Sequence, residues 1–155
     1  MGKEPSFQAG ELRFSAYNPT GEPLTVRITR HKLLQRARLG KWMMNEVTVT
    51  VAEILDQPDA IFEGIRQEED EHKGPGGAGW WCYVGVPSTR FVNDGAGGRK
   101  LKPSELFLVF VTDEHVAYNF RWEEVDSCHD WLRADHPDRF RSRIYLSPRM
   151  QGQAQ

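Results

Sequence analysis

The pattern of apolar and polar positions is most regular between Leu106 and Glu123. Leu106-Phe107-Leu108-Val109-Phe110-Val111 is apolar at every position, which predicts a central strand buried on both faces. Thr112-Asp113-Glu114-His115 supplies turn chemistry. Val116 to Glu123 then alternates, so Val116, Tyr118, Phe120 and Trp122 are expected on one side and Ala117, Asn119, Arg121 and Glu123 on the other.

The same reading extends along the chain. Phe14-Ser15-Ala16-Tyr17 and Leu24-Thr25-Val26-Arg27-Ile28 flank the turn cluster Asn18 to Pro23 and read as short strands or an extended arm. His31 to Met44 reads as a helix with Thr29 as its N-cap. Thr50-Val51-Ala52-Glu53 fits a capping box and predicts a second helix that ends at Gln57, before Pro58. Ala60 to Gln67 reads as an edge strand in preference to a short helix, and Trp80 to Val86 as a strand. The charged and glycine-rich segments 68–79 and 87–104 read as long loops. Asp126 to Asp138 reads as a polar connection, Arg139 to Leu146 as the last strand, and the tail from Ser147 as frayed.

Together these elements predict an α+β fold, with two N-terminal helices packed on one face of an antiparallel meander of four to five strands. The expected organisation is an N-terminal arm or short strands over 1–24, a single domain over 25–146 and a disordered tail over 147–155.

Composition adds boundaries to this picture. A chain of 155 residues, 39% hydrophobic and 27% charged, fits one soluble globular domain. The net charge of −2 lacks the basic excess of strong non-specific nucleic-acid binders. No apolar run approaches the roughly 20 residues of a membrane helix, and no secretory signal is visible, so a cytoplasmic protein without membrane contact is expected. Two cysteines without a CxxC pattern predict reduced thiols rather than a disulfide framework.

The candidate chemistry lies on the strands. If the last strand pairs beside 116–123, one sheet face gathers Arg139, Arg141, Arg143, Tyr145, Asn119, Arg121 and Glu123. Arg121, Arg141 and Arg143 then act as phosphate clamps and Glu123 as a base, while Tyr145 stacks on a nucleobase or donates a proton. The alternative is a solvated, charged face held by cross-strand pairs. His31 lies among Arg27, Arg30 and Lys32, whose charges favour the neutral imidazole that a general base requires; a surface or capping role is the other reading.

Asp126, Cys128, His129, Asp130, Asp135, His136 and Asp138 are possible ligand types, but their spacing matches no tight ligand pattern, so no metal is assigned. The glycine-rich segments lack the strand and helix contexts of nucleotide-binding loops, so no cofactor is assigned either.

The order of elements resembles the barnase/EndoU/colicin/RelE-like (BECR) nuclease superfamily. The matching stretches are Thr29-Arg30-His31, Val51 to Asp59 with its Gln57-Pro58-Asp59 turn, and the strands from Trp80 to Tyr145. That resemblance implies metal-independent RNA cleavage, with His31 and polar sheet residues as candidates. The chain departs from the pattern in its acidic balance and its long 87–104 segment. The strands carrying Phe107 to Val111 and Tyr118 to Glu124 also resemble a small bacterial family without an assigned activity. Two functions are therefore carried forward: a metal-independent ribonuclease acting on RNA, and a non-catalytic binding or accessory domain that holds a protein partner or small ligand.

Overall fold

The computed structural model describes residues 10–40, 44–65, 79–87 and 105–151. The chain forms β1 (Glu11–Ser15), β2 (Thr25–Thr29), α1 (Arg30–Gly40), α2 (Met44–Asp56), β3 (Ala60–Glu63), β4 (Gly79–Gly85), β5 (Glu105–Thr112), β6 (Ala117–Glu124), α3 (Cys128–Arg133), β7 (Ser142–Leu146) and α4 (Pro148–Gln151). β1 and β2 pair as an antiparallel two-stranded sheet, and the remaining strands form a five-stranded antiparallel sheet in the order β6-β5-β4-β3-β7.

All eight residues of β5 are buried, as its unbroken apolar run requires. Phe107, Val109 and Val111 face a layer completed by Val26, Ile28, Leu33, Val51 and Ile54 from β2, α1 and α2. Leu106, Leu108 and Phe110 face the other way, against Leu132 of α3, Phe140 and Met150 of α4. Both faces of the sheet are thus covered, one by the N-terminal elements and the other by the C-terminal ones. The α+β class stands. Among the described residues, the simpler layout of two helices on a meander is replaced by four helices, a separate hairpin and a sheet whose last strand lies outside the β3–β6 meander.

That last difference has a physical cause. After β6, Ser127 accepts a hydrogen bond from the Asp130 N–H (3.2 Å) and caps α3 inside what reads in sequence as a polar connection. Leu132 and Phe140 then bury against the sheet, and Phe140 stacks on Phe62 with centroids 4.8 Å apart. This apolar anchorage carries the chain across the sheet to β3, where Ile61 pairs with Tyr145 and Ala60 with Leu146. β7 and β6 therefore occupy opposite edges, rather than adjacent positions.

A second correction concerns the alternation of β6. The register shifts between Phe110 and Val111, which face Asn119 and Ala117 respectively, so Tyr118 is the extra residue of a bulge. Ala117 and Phe120 consequently join the α1/α2 layer, whereas Tyr118 joins the α3/α4 layer. The turn before β6 is held by Thr112, whose hydroxyl accepts from the Glu114 and Val116 N–H groups, and His115 takes a positive φ of 67°.

The helices show one confirmed and one displaced start. Thr29 accepts from the Lys32 N–H at 3.0 Å and caps α1 as its sequence position suggests. Thr50, by contrast, lies inside α2, buried, with its hydroxyl donating to the Glu46 carbonyl four residues back. Of the tail expected to fray, Pro148–Gln151 form α4, with Met150 buried, and 152–155 lie outside the described residues. The segments 66–78 and 88–104, which hold most of the expected long loops, lie outside the described residues, as do Trp42 and Met43.

Candidate functional site

The proposed basic face does not assemble, because its members belong to different edges and different ion pairs. Arg139 precedes β7 and grips Glu123 through two hydrogen bonds of 2.7 and 3.0 Å. Its guanidinium also lies over the rings of Trp131 and Phe140. Arg121 approaches Glu123 at 3.5 Å from within β6. Glu123 thus pins the α3–β7 connection to the sheet. Arg141 pairs with Glu63 at 3.2 Å, and Arg143 donates to the carbonyls of Arg133 (2.8 Å) and Ala134 (3.3 Å) at the end of α3. These two arginines belong to the β3–β7 edge and Arg121 to β6. His31 is exposed in the first turn of α1, whose Leu33 and Ala37 pack on the face opposite the Glu123–Arg139 pair.

The crowded 126–138 segment also resolves into structural roles. The His136 ring stacks on Trp131 at 4.0 Å, and its Nε2 lies 2.8 Å from the Trp131 carbonyl. Among the described residues, no group of three or more His, Cys, Asp or Glu side chains is placed to hold a metal ion.

One sequence candidate does enter a cleft. Tyr145 of β7 meets Tyr17, which follows β1, with ring centroids 4.5 Å apart and planes tilted by 40°. The two rings line a cavity of about 370 Å³ at the C-terminal end of α2, together with Glu53, Asp56, Asp59 and Arg149. Tyr17 is held at both backbone groups: its N–H donates to the Leu55 carbonyl at 2.7 Å, and its carbonyl accepts from the buried Tyr83 hydroxyl at 2.8 Å. Tyr17 is 37% exposed and lines the cleft. Burial raises the Tyr145 phenol above its ordinary value, with Tyr17 and Asp59 adding to the effect, so this hydroxyl stays protonated well above neutral pH.

Asp59 forms the floor. Its side chain is only 3% exposed, and it accepts from Arg149 Nε at 2.7 Å and Nη2 at 2.9 Å. The Val86 N–H adds a third bond at 2.9 Å. The Asp59 backbone continues the lock, donating to the Val84 carbonyl and accepting from the Ser147 N–H. Hydrogen bonding to Asp59 raises Arg149 further. The guanidinium neutralises Asp59, and the Glu53 and Asp56 carboxylates and the negative end of the α2 dipole also border the cleft. This arrangement suits a cation: aromatic faces, carboxylates and a helix C-terminus all favour positive charge. It is poorly suited to a phosphodiester, which the same charges repel.

Tyr17, Asp59 and Arg149 had no joint signal in the sequence because the cleft brings together the residue after β1, the end of α2 and α4, which lie far apart along the chain. The Gln57-Pro58-Asp59 turn stands out in the sequence as a turn, and the structure places it in the cleft wall. No protein-family model, curated protein or solved structure matches this chain. No described helix is long and apolar enough to cross a membrane.

Proposed function

We propose that this domain is a non-catalytic binding module whose Tyr17–Tyr145 cleft receives a cationic group, such as a lysine or arginine side chain presented by a protein partner. The observation that carries this reading is the pair of tyrosine rings 4.5 Å apart beside the Glu53 and Asp56 carboxylates. The Tyr17 backbone is fixed by two hydrogen bonds and its ring rests against Tyr145, which limits the ordering that binding must supply. The Asp59–Arg149 pair closes the floor and maintains the spacing between β7 and the α2 terminus. A cation over a partly desolvated aromatic face gains about 1–2 kcal/mol.

Calorimetric titration with N-acetyl-arginine amide tests the reading. Saturable binding is expected, weakened about tenfold in Tyr145→Ala, equivalent to about 1.4 kcal/mol. Asp56→Asn weakens it as well, without loss of fold. Unchanged affinity in both variants would remove the cleft from the binding site.

The ribonuclease reading has lost the shared pocket on which its residue roles depended. Its biochemical test remains direct: incubation of the protein with RNA in EDTA, alongside Glu123→Ala and His31→Ala. The binding-module reading expects no cleavage by any of the three proteins. Cleavage by the native chain that either substitution abolishes would restore the nuclease assignment.

A further inference from the structure

A second cleft, of about 360 Å³, lies between α1 and β6, at the sheet edge opposite β7. Its walls are Lys32, Gln35 and Arg36 from α1 and Tyr118 and Asn119 from β6, with no carboxylate among them. Arg36 Nε donates to the Phe120 carbonyl at 3.3 Å, which fixes the guanidinium against the strand. Burial and the neighbouring Arg36 lower Lys32, and burial and Arg121 lower Arg36, so three cations share this region at close range. Tyr118, the extra residue of the bulge, and Asn119 border the cleft. Asn119 Oδ1 is buried and has no hydrogen-bond partner among the described residues. Rotation of that amide by half a turn exchanges its oxygen for an N–H donor.

We propose that the α1–β6 cleft binds a phosphate group, with Lys32 and Arg36 supplying charge and the Asn119 and Gln35 amides supplying hydrogen bonds. A phosphate satisfies several donors at once and offsets the repulsion between the cations. The small cleft and its two α1 cations fit one phosphate or pyrophosphate group, carried by a small ligand or by a nucleic-acid backbone. This site is separate from the tyrosine cleft in position and opposite to it in charge preference.

Titration of isotopically labelled protein with sodium pyrophosphate at fixed ionic strength tests the proposal. Saturable NMR shifts are expected at Lys32, Arg36 and Asn119, with affinity reduced at least tenfold in Arg36→Gln. Lys32→Glu, which leaves the Arg36–Phe120 hydrogen bond in place, provides the second variant and is expected to reduce affinity by a similar factor. A parallel titration with a short single-stranded RNA distinguishes the sources. Shifts at the same residues with both probes assign a phosphate site open to polymers, and shifts with pyrophosphate alone assign a small-ligand site. The proposal is overturned if pyrophosphate produces no saturable shift at these residues, or if affinity is unchanged in both variants. Neither result bears on arginine-amide binding at Tyr145, so the two sites stand or fall separately.

Discussion

At the scale of single residues, Gly64 and Asp59 carry the sharpest constraints. Gly64 has a φ of +72°, and a Cβ there falls 2.5 Å from the Arg141 Cβ. Both the backbone conformation and the backbone-proximal contact oppose a side chain, so Gly64→Ala is expected to destabilise the fold by about 2 kcal/mol or more in denaturant melts. Asp59 is the more consequential residue because it organises three segments. Asp59→Ala leaves the Val86 N–H and Arg149 without their acceptor and is expected to cost on the order of 3 kcal/mol by urea denaturation. Arg149→Ala is expected to destabilise too, because it leaves a buried carboxylate without its cation. The residue types of Asp59 and Arg149 were plain in the sequence, but their partnership was not. Nothing local in Pro58-Asp59 distinguishes a turn carboxylate in water from one buried against a guanidinium ninety residues away.

At the scale of elements, strand identity was far more legible than strand placement. The period-two and unbroken apolar patterns located β4, β5 and β6 to within a residue or so, because both report burial directly. Strand order depends instead on where connections cross, and the crossing here is set by Leu132, an apolar residue within the polar 126–138 connection, and by Phe140, which the alternation of 139–146 assigns to the last strand. The β6 bulge was also hidden, since one inserted residue reverses the parity of everything after it. The contact between the N-terminal hairpin and the sheet offers an element-scale prediction. Tyr83 of β4 is buried, which raises its phenol above the ordinary 10.0, and its hydroxyl donates to the Tyr17 carbonyl. The unfolded chain releases this proton near its ordinary value while the folded chain retains it. The Tyr83 contribution is therefore intact below about pH 10 and declines as pH rises beyond it, by at most about 1.4 kcal/mol per pH unit. Urea melts between about pH 9 and pH 11 should show a shallower alkaline decline in Tyr83→Phe than in the native protein. Equal slopes would mean that Tyr83 ionises as easily folded as unfolded.

At the scale of the whole molecule, a sheet covered on both faces leaves its edges and helix ends as the places for chemistry. The tyrosine cleft lies where β7, the α2 terminus and the residue after β1 converge, and the cationic cleft lies along β6. The domain thus offers surfaces of opposite charge preference despite a net charge of only −2. Alternation along a strand predicts one side in water, whereas α3, the 134–141 connection and α4 occupy that side here. The most direct test of a cation-accepting cleft is NMR shift mapping with an arginine-containing peptide, read at Tyr17, Glu53 and Tyr145. Saturable shifts centred on those residues, lost in Tyr145→Ala and absent at Lys32 and Arg36, are the expected result. Shifts centred elsewhere, or retained in full after Tyr145→Ala, would contradict it.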